Sequence, residues 1–269
     1  MERNEITPEA MDTRPSHAGR HVLVTGAGNG IGRAIALGFA RRGAIVGVAD
    51  MNEDAVAETE ALIARAGLGR GVPLVLDVAD WDAVEGTLER AARDLGAPFD
   101  TVVNNAGISP KHAGKPHGVW EMDPAEWRRV VDVNLTGSFN TIRALTPAMR
   151  DAGRGWIVNM SSVAGKTHSP IVASHYAATK SAIIGFTIHL AAELGPYGIR
   201  VNALAPGRIE TPMVAGAGKA ANDAQIALTP MARLGQPAEV ADTALWLTSS
   251  EASFVTGQTI DVAGGLYMT

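Results

Sequence analysis

The sequence predicts a single α/β domain built on a doubly wound parallel sheet of about seven strands, with helices on both faces. Short β-rich runs that are almost wholly apolar alternate with longer helical patterns, which is typical of strands buried on both faces. No composition break, repeat or low-complexity tract divides the 269 residues. Hydrophobic residues make up 46% of the chain and charged residues only 19%, which predicts a large core and excludes intrinsic disorder.

Seven β-rich runs predict the strands, and helical patterns separate them. The predicted strands are residues 21–25, 44–50, 72–77, 99–104, 156–160, 199–205 and 259–262. Helices are predicted to end near 42 and 66, and to occupy 81–95, a long segment after 123, 174–195 and 237–248. The segment after residue 123 has a well-marked start, because Asp123 suits the N-cap, Pro124 the first helical position and Glu126 the third.

Composition and termini exclude several classes of protein. The net charge of −5 argues against electrostatic nucleic-acid binding, which calls for a basic face. The absence of cysteine excludes disulfides and thiolate zinc sites, and the seven histidines show no metal-binding spacing, so no metal is expected. No run approaches the ~18 apolar residues of a membrane span, and residues 1–18 are typical of a flexible polar tail. We therefore expect a cytoplasmic protein whose domain covers 19–269.

A glycine-rich turn follows the first strand and opens the first helix. Residues 25–32 read TGAGNGIG, which fits the spacing TGxxxGxG. Glycines let the backbone approach a pyrophosphate, and the helix N-terminus adds free N–H groups and partial positive charge. A turn that only packs helix against strand would use the same glycines. The turn is predicted to bind a dinucleotide through Gly26, Asn29, Gly30 and Ile31.

Three further strand ends carry candidate cofactor contacts. Asp50 ends the second strand, where a carboxylate accepts hydrogen bonds from the adenosine ribose diol and repels a 2′-phosphate. Because no Lys or Arg stands beside it and Asn29 is neutral, NAD is favoured over NADP. Asp77 and Val78, after the third strand, are placed to meet adenine or to form a structural turn. After the fourth strand, small residues leave room for a cofactor, and the candidates are Asn104, Ala106 and Gly107.

A tyrosine and a lysine suggest acid–base chemistry. Tyr176 and Lys180 lie one turn apart in a helical pattern, so both project from the same face. A nearby ammonium favours the phenolate, so the pKa of Tyr176 is expected to fall below its ordinary value. An ordinary amphipathic helix would show the same spacing. Ser161 and Ser162 strengthen the catalytic interpretation, because they directly follow the fifth strand, on the sheet edge where ligands bind.

Six motifs then occur in order along the chain: TGAGNGIG, NNAG, VNLTG, NMSS, YAATK and PGRIETP. Together they resemble the short-chain dehydrogenase/reductase family over about residues 19–266, and the combination is highly specific. The resemblance implies a Rossmann-type fold and hydride transfer between nicotinamide C4 and an alcohol carbon. It also implies a homotetramer built partly on the helix that bears Tyr176.

The resemblance implies roles for individual residues. Tyr176 would be the acid/base, and Lys180 would lower its pKa while binding the nicotinamide ribose. Ser162, rather than Ser161, would hydrogen-bond the substrate oxygen, because the family serine precedes Val-Ala-Gly or a similar run. Asn134 in VNLTG would hold a water in the proton relay. In PGRIETP, the implied cofactor contacts are Pro206, Gly207, Ile209 and Thr211.

These observations predict an NAD-dependent alcohol dehydrogenase or ketone reductase that acts on a small molecule. A polyol, a sugar, a hydroxy acid and a secondary alcohol all fit. One alternative is an NADPH-dependent 3-oxoacyl-thioester reductase, which Asp50 argues against, since that carboxylate matches the NAD-preferring branch of the family. A second alternative is a non-catalytic dinucleotide sensor, which would not need Asn134, Ser162, Tyr176 and Lys180 together.

The segment 212–230 is predicted to be a flap over the substrate, since it is rich in Ala and Gly and has few bulky anchors. It carries a single basic residue, so an anionic substrate has no evident clamp there, with Arg208 and Lys166 as the remaining candidates. His168 and His175 flank the active-site loop, and either is a candidate to touch the substrate.

Overall fold

The predicted parallel sheet with helices on both faces is confirmed. The computed structural model describes residues 17–67, 69–215 and 219–268. The strands are β1 His21–Thr25, β2 Ile45–Asp50, β3 Arg70–Val75, β4 Thr101–Asn104, β5 Gly155–Met160, β6 Ile199–Pro206 and β7 Thr259–Val262. Their order in the sheet is β3-β2-β1-β4-β5-β6-β7, and every neighbouring pair is parallel.

The helices alternate with these strands. They are α1 Gly30–Arg41, α2 Glu53–Ala66, α3 Trp81–Leu95, α4 Pro124–Val131, α5 Gly137–Ala152, α6 Ser174–Leu194, α7 Pro212–Ala215, α8 Lys219–Leu228 and α9 Pro237–Thr248. A single π turn, Asp132–Thr136, joins α4 to α5. Asp123 caps α4 as predicted, since its carboxylate accepts from the N–H of Ala125 at 2.7 Å. Among the described residues, no helix has the length and apolar character needed to span a membrane.

Alternate side chains of each central strand enter opposite cores, as the two-residue period of a strand requires. In β1, Val22 and Val24 pack on the face covered by α1, α2 and α9, whereas Leu23 packs on the face covered by α3, α5 and α6. The two cores contain large, fully buried side chains, among them Phe39 on the first face and Ile157 on the second. The sheet is therefore the shared wall of two hydrophobic layers.

The prediction that strands are buried on both faces is wrong for β3. This strand lies at the edge of the sheet, and Val75 is 49% exposed because no strand covers its outer side. Its bounds also differ from the predicted 72–77. Backbone pairing nevertheless continues beyond Val75, because the N–H of Leu76 donates to the carbonyl of Asp50 at 3.0 Å.

The strand order changes direction between β1 and β4, which lie side by side at the middle of the sheet. Connections leave these two strands towards opposite sides, and a crevice forms at their carboxyl ends. The hydroxyl of Thr25 accepts hydrogen bonds from the N–H groups of Asn105 and Ala106, both at 3.0 Å. These bonds fix the end of β1 against the end of β4 and so define the floor of the crevice.

The boundary of the predicted N-terminal tail needs correction at its last residues. Residues 1–16 lie outside the described part of the chain, but His17 is fully buried. Its ring packs edge-on against Phe39, and its Nε2 lies 2.9 Å from the hydroxyl of Thr248 in α9. The domain therefore includes His17, which the polar character of residues 1–18 did not predict.

The burial of His17 predicts acid sensitivity. Burial lowers the pKa of His17 from 6.5 to about 3, with the charges of Arg20 and Arg42 acting in the same direction. As the pH falls below 6.5, the unfolded chain binds a proton that the folded chain excludes, so stability is lost between pH 6.5 and 3. We expect a loss of about 2 kcal/mol from neutral pH to pH 5, at ~1.4 kcal/mol per pKa unit.

The measurement is the free energy of unfolding by denaturant across this pH range. His17→Gln keeps a hydrogen-bonding group for Thr248 but cannot titrate, so its stability should fall less steeply with acid. His189→Gln is the matched control, because the His189 side chain is 80% exposed. Equal slopes for the parent protein and His17→Gln would contradict the prediction.

Candidate active site

A cavity of about 750 Å³ opens at the carboxyl ends of the strands. Residues that follow all seven strands contribute to its wall, so the sheet edge itself forms the floor. Of the sixteen residues predicted to bind the cofactor, all except Asn104 line this cavity. They are Gly26, Asn29, Gly30, Ile31, Asp50, Asp77, Val78, Ala106, Gly107, Tyr176, Lys180, Pro206, Gly207, Ile209 and Thr211.

The glycine turn presents backbone to this cavity. Gly26 has a φ of +62°, and a Cβ on Gly32 would lie 2.0 Å from the carbonyl oxygen of Gly26. Neither position accepts a side chain without moving the turn. Asn29 caps α1 with extended backbone, and its side chain makes no capping hydrogen bond. The first turn of α1 therefore offers free N–H groups to an anion such as a pyrophosphate.

Asp50 is held at the cavity edge by backbone hydrogen bonds. One carboxylate oxygen accepts from the N–H of Gly28 at 3.0 Å, and the other accepts from the N–H of Asn52 at 3.1 Å. Each oxygen keeps a second lone pair for a ribose hydroxyl. Arg33 does not line the cavity, because its guanidinium binds the carbonyl of Gly28 and Glu58 at 2.6 Å. A 2′-phosphate would therefore meet a carboxylate here, and the guanidinium of Arg33 is already paired.

Asp77 forms the structural turn that the sequence left open as one alternative. Its carboxylate accepts from the N–H of Ala79 at 3.0 Å and pairs with Arg129 of α4 at 2.9 Å. The carbonyl of Val78 accepts from the side chain of Asn140 at 2.9 Å. Both residues still line the cavity, so an adenine contact remains a prediction.

The prediction for the Asn104 side chain needs correction. This side chain is buried and faces away from the cavity, since its amide donates to Asn159 at 2.9 Å and its oxygen accepts from Thr141 at 2.6 Å. The amide of Asn159 in turn donates to Thr187 at 3.0 Å. A buried polar ladder thus ties α5, β4, β5 and α6 together. Asn104 positions the sheet edge and does not reach the cavity with its side chain.

Ser162 and Tyr176 meet at the end of β5. Ser162 begins a short 3₁₀ turn, and its oxygen accepts from the N–H of Ala164 at 3.2 Å. Ser162 and Tyr176 both line the cavity, and the Ser162 side chain acts to lower the pKa of the Tyr176 hydroxyl. Ser161 is buried and donates to the carbonyl of Lys180 at 2.7 Å, so its hydroxyl is already used by the protein. The arrangement therefore favours Ser162 over Ser161 as the serine that meets a substrate oxygen.

Lys180 lies beside the tyrosine, but the pKa of Tyr176 is raised in this structure. The ammonium Nζ lies 5.6 Å from the centre of the Tyr176 ring and donates to the carbonyl of Met160 at 2.7 Å. Burial raises the pKa of Tyr176 above its ordinary value, and only the Ser162 side chain acts in the opposite direction. Burial also lowers the pKa of Lys180 to about 8. The expected lowering of the tyrosine pKa is thus outweighed by the cost of a buried phenolate.

Asn134 lies in the π turn between α4 and α5. Its side-chain oxygen accepts from the N–H of Ile108 at 2.8 Å, and its amide donates to the carbonyl of Ile108 at 3.0 Å. Asn134 does not line the cavity, but a Cβ on Gly107 would lie 3.3 Å from its oxygen and 3.5 Å from the Nζ of Lys180. Because Gly107 has no side chain, the space that its Cβ would fill stays open between the Asn134 oxygen and the Lys180 ammonium, and we call this space the gap. A water in the gap would touch both groups, so the relay role of Asn134 stays a prediction.

Glu126 joins two segments that the sequence did not connect. One carboxylate oxygen lies 2.9 Å from the Nε2 of His175 in α6, and the other lies 2.6 Å from the Nε2 of His112 in the loop after β4. The bond to His175 is the main cause that holds the pKa of Glu126 below its ordinary value, and the bond to His112 acts in the same direction. The ring of His117 stacks on that of His112 at 3.4 Å. Glu126, His112 and His117 also offer ligand atoms within 4.8 Å of one another, a grouping that the sequence spacing did not predict.

The two histidines considered as substrate contacts differ. His168 lines the cavity, whereas His175 is fully buried, bonds to Glu126 and lies outside the lining. The structure therefore leaves His168 as the candidate. His175 instead fixes the start of α6 directly before Tyr176.

The outer part of the cavity wall was predicted only in part. Helices α7 and α8 occupy most of the predicted flap, although residues 216–218 lie outside the described residues. The sequence of these helices does not predict them, because no strong apolar period marks them. Further lining residues include Lys111, Ile171, Val172, Arg208, Met213, Val214, Gln225, Leu228, Leu266 and Tyr267. These residues lie after strand ends and in loops that are far apart in the sequence. Only folding brings them to one cavity wall.

Comparison with known proteins agrees with this geometry. Residues 26–267 match the family model described as enoyl-(acyl carrier protein) reductase. A 3-oxoacyl-[acyl-carrier-protein] reductase from Thermotoga maritima is 40% identical over 250 residues, which cover 92% of this chain and 98% of that protein. A (3R)-3-hydroxyacyl-CoA dehydrogenase from Canis lupus familiaris is 37% identical over 253 residues, which cover 91% of this chain and 95% of that protein.

A solved structure extends the comparison to a bound cofactor. The crystal structure of a 3-oxoacyl-[acyl-carrier protein] reductase from Brucella melitensis with bound NAD is 68% identical in sequence and has a TM-score of 0.88. The alignment covers 100% of this chain and 99% of that chain. The chain described here therefore belongs to the short-chain dehydrogenase/reductase family, whose members are NAD(P)-dependent oxidoreductases of CH–OH and keto groups.

Proposed function

We propose that the protein interconverts a 3-hydroxyacyl and a 3-oxoacyl compound with NAD(H) as the hydride carrier. The observation that carries the proposal is that Ser162 and Tyr176 line the same cavity as the glycine turn and Asp50. The relatives named above act on 3-oxoacyl or 3-hydroxyacyl thioesters, which moves the preferred substrate from a polyol or simple alcohol to this class. The proposed substrate class is therefore that of the 3-oxoacyl-thioester reductase alternative, while the proposed cofactor remains NAD(H).

The residues at the end of β5 would carry out the proton transfer. A nicotinamide dinucleotide supplies or accepts the hydride when it is bound. Ser162 and Tyr176 would hold the substrate oxygen, and the hydroxyl of Tyr176 would give its proton to that oxygen during reduction. Because burial raises the pKa of Tyr176, the hydroxyl stays protonated at neutral pH. Lys180 would add positive charge beside the resulting phenolate, and the gap by Gly107 and Asn134 would admit the water that returns the proton.

The cofactor preference follows from the adenosine end of the cavity. Asp50 would accept hydrogen bonds from the ribose diol and repel a 2′-phosphate. The guanidinium of Arg33 is already engaged by Gly28 and Glu58. These contacts support NAD over NADP, in contrast to the NADPH-dependent alternative. The glycine turn, Asp77, Val78, Ala106, Gly107 and the segment from Pro206 to Thr211 would form the rest of the dinucleotide site.

Steady-state kinetics on a defined substrate panel tests the proposal. The panel contains 3-hydroxybutyryl-CoA, free 3-hydroxybutyrate, a polyol and a simple secondary alcohol, each with NAD and with NADP. We expect a 3-hydroxyacyl compound with NAD to have the highest kcat/KM. Faster oxidation of the polyol or the simple alcohol would overturn the substrate class. A lack of turnover with every substrate and both cofactors would favour the sensor alternative, and reduction of crotonyl-CoA alone would assign enoyl chemistry instead.

We also propose that residues 212–230 close over the bound substrate. Met213, Val214 and Leu228 line the cavity and would exclude water during hydride transfer. Hydrogen exchange on the apo protein, the NAD complex and a ternary complex with a substrate analogue should show increasing protection in this segment. Identical exchange in all three forms would mean that the segment is not a lid.

A homotetramer remains part of the proposal. Phe139 on α5 and Ile188 on α6 are 46% and 56% exposed, which is more apolar surface than these helices need for the described core. A second copy of the chain would cover them. Light scattering coupled to size exclusion should give a mass near four chains, and Ile188→Lys should lower it. A monomeric parent protein would contradict the prediction.

A further inference from the structure

Four basic residues line the cavity, and they differ in their partners. Within the described part of the chain these are Lys111, Arg129, Lys180 and Arg208. Arg129 forms an ion pair with Asp77 at 2.9 Å. Lys180 donates to the carbonyl of Met160 beside the catalytic tyrosine. Lys111 and Arg208 remain, and neither forms an ion pair with an acidic residue among the residues described.

Both of these side chains hydrogen-bond neutral oxygen atoms. The ammonium of Lys111 donates to the carbonyl of Ile171. The guanidinium of Arg208 donates from Nε and Nη2 to the side-chain oxygen of Asn222 in α8, at 3.1 and 2.7 Å. These contacts orient the two cations but leave their charge uncompensated. Lys166, the other candidate clamp considered from the sequence, pairs with Asp261 at 2.8 Å and does not line the cavity.

The two cations also repel each other. Lys111 follows β4 and Arg208 follows β6, so the fold places them on the wall of the same cavity from different strand ends. Burial lowers the pKa of both groups, and the charge of Arg208 lowers the pKa of Lys111 further. Removing two like charges from water without a counter-charge is unfavourable. Such an arrangement is stabilised when an anion lies between them.

The charges of the cavity are divided between its ends. Its acidic lining residues, among those described, are Asp50, which ends β2, and Asp77, which follows β3, and both lie at the adenosine end. Lys111 and Arg208 lie on the other side of the sheet midpoint, and apolar neighbours such as Ile171 and Met213 share that part of the lining. The uncompensated positive charge is therefore at the end that the dinucleotide's adenosine does not use.

We propose that Lys111 and Arg208 form an anion-binding subsite that recognises a carboxylate or phosphate group of the substrate. The inference rests on the proposed function, because it assigns a charge to the substrate of the same site. The anionic oxygens have two possible sources. One is the carboxylate of a free 3-hydroxy acid, and the other is the phosphate of a phosphopantetheine arm on a 3-hydroxyacyl thioester.

Matched substrates separate charge from shape and distinguish the two sources. The neutral compounds are methyl 3-hydroxybutyrate and the pantetheine thioester of 3-hydroxybutyrate, which lacks only the phosphate. Their anionic counterparts are 3-hydroxybutyrate and its phosphopantetheine thioester. We expect the parent protein to prefer at least one anionic compound over its neutral counterpart by about tenfold or more in kcat/KM. A preference within the pair of the acid and its methyl ester identifies the carboxylate as the recognised group. A preference within the thioester pair identifies the phosphate.

Variants test whether these two residues carry the preference. Lys111→Gln and Arg208→Gln should each lower the anionic-to-neutral ratio of kcat/KM about tenfold or more, and Lys111→Arg and Arg208→Lys should restore most of it. Lys115→Gln is the matched control, because Lys115 is an exposed lysine of the same loop. Equal use of anionic and neutral compounds by the parent protein would overturn the subsite while leaving the proposed function intact.

Binding gives a readout that does not need turnover. Acetoacetate and the phosphopantetheine thioester of acetoacetate are titrated calorimetrically into the NAD complex, where both reactants are oxidised and no hydride can move. Weaker binding of one of them to Lys111→Gln and Arg208→Gln, with unchanged binding of NAD, supports the subsite. Failure of both to bind the parent protein, or a loss of NAD affinity in Arg208→Gln, would overturn it.

Discussion

Replacing Tyr176 with phenylalanine is expected to lower kcat by about 1,000-fold or more while NADH binds almost as well as to the parent protein. The phenyl ring keeps the packing of α6, but the proton that passes to or from the substrate oxygen is lost. Steady-state kinetics and a fluorescence titration with NADH measure the two effects separately. Tyr197→Phe is the matched control, because Tyr197 is 43% exposed and does not line the cavity.

The pH dependence gives the same residue a second test. Oxidation needs Tyr176 to accept a proton, whereas reduction needs it to donate one. Because the pKa of Tyr176 is raised by burial, alcohol oxidation should speed up as pH rises, and ketone reduction should slow. Substantial activity in Tyr176→Phe, with an unchanged pH profile, would show that another group is the acid and base.

The second large effect concerns Asp50 and the choice of cofactor. The parent protein should prefer NAD over NADP by at least about tenfold in kcat/KM, which corresponds to roughly 1.4 kcal/mol. Asp50→Asn removes the charge and keeps one oxygen, which can accept from the N–H of Gly28 or of Asn52 but not from both, so its preference should fall towards parity. Asp50→Ala should lose more NAD affinity, since the diol contacts also disappear.

A neighbouring carboxylate provides the control. Asp54 is exposed in the first turn of α2, and Asp54→Asn should keep the parent preference. Kinetics with both cofactors at fixed substrate make the comparison. Equal use of NAD and NADP by the parent protein would contradict the assignment of Asp50, whatever the variants do.

The fold could be predicted largely from local patterns. Runs such as 21–25 and 259–262 have the bounds that their apolar character indicates. The partial exposure of β3 could not be predicted in the same way. Whether a strand lies at a sheet edge depends on strand order and not on the residues of that strand. Helices α7 and α8 were missed because their sequence is rich in small residues and carries little apolar period.

The candidate site also has a part that the local sequence predicts and a part that depends on strand order. Residues in motifs, such as Ser162 and Tyr176, lie where the sequence pattern indicates. The polarity of Asn104 did not reveal whether its side chain turns towards a cavity or into a buried ladder. The contact of Glu126 with His175 joins residues from separate connections, and so does the cavity wall that Lys111 and Arg208 share. Only the strand order brings those groups together, so spacing along the chain could not predict them.

The π turn at Asp132–Thr136 has a consequence for tolerance to deletion. Such a turn holds one residue more than a regular α-helix would over the same rise, while the helices on either side keep their faces. Removing one residue here would leave Val130 of α4 and Ile142 of α5 facing the core, but would swing Asn134 by about 100° around the axis. A chain shortened by one residue here would therefore keep the buried faces of both helices but displace the side chain of Asn134. If Asn134 holds the proposed relay water, deleting one residue from this turn should lower turnover while both helices stay folded.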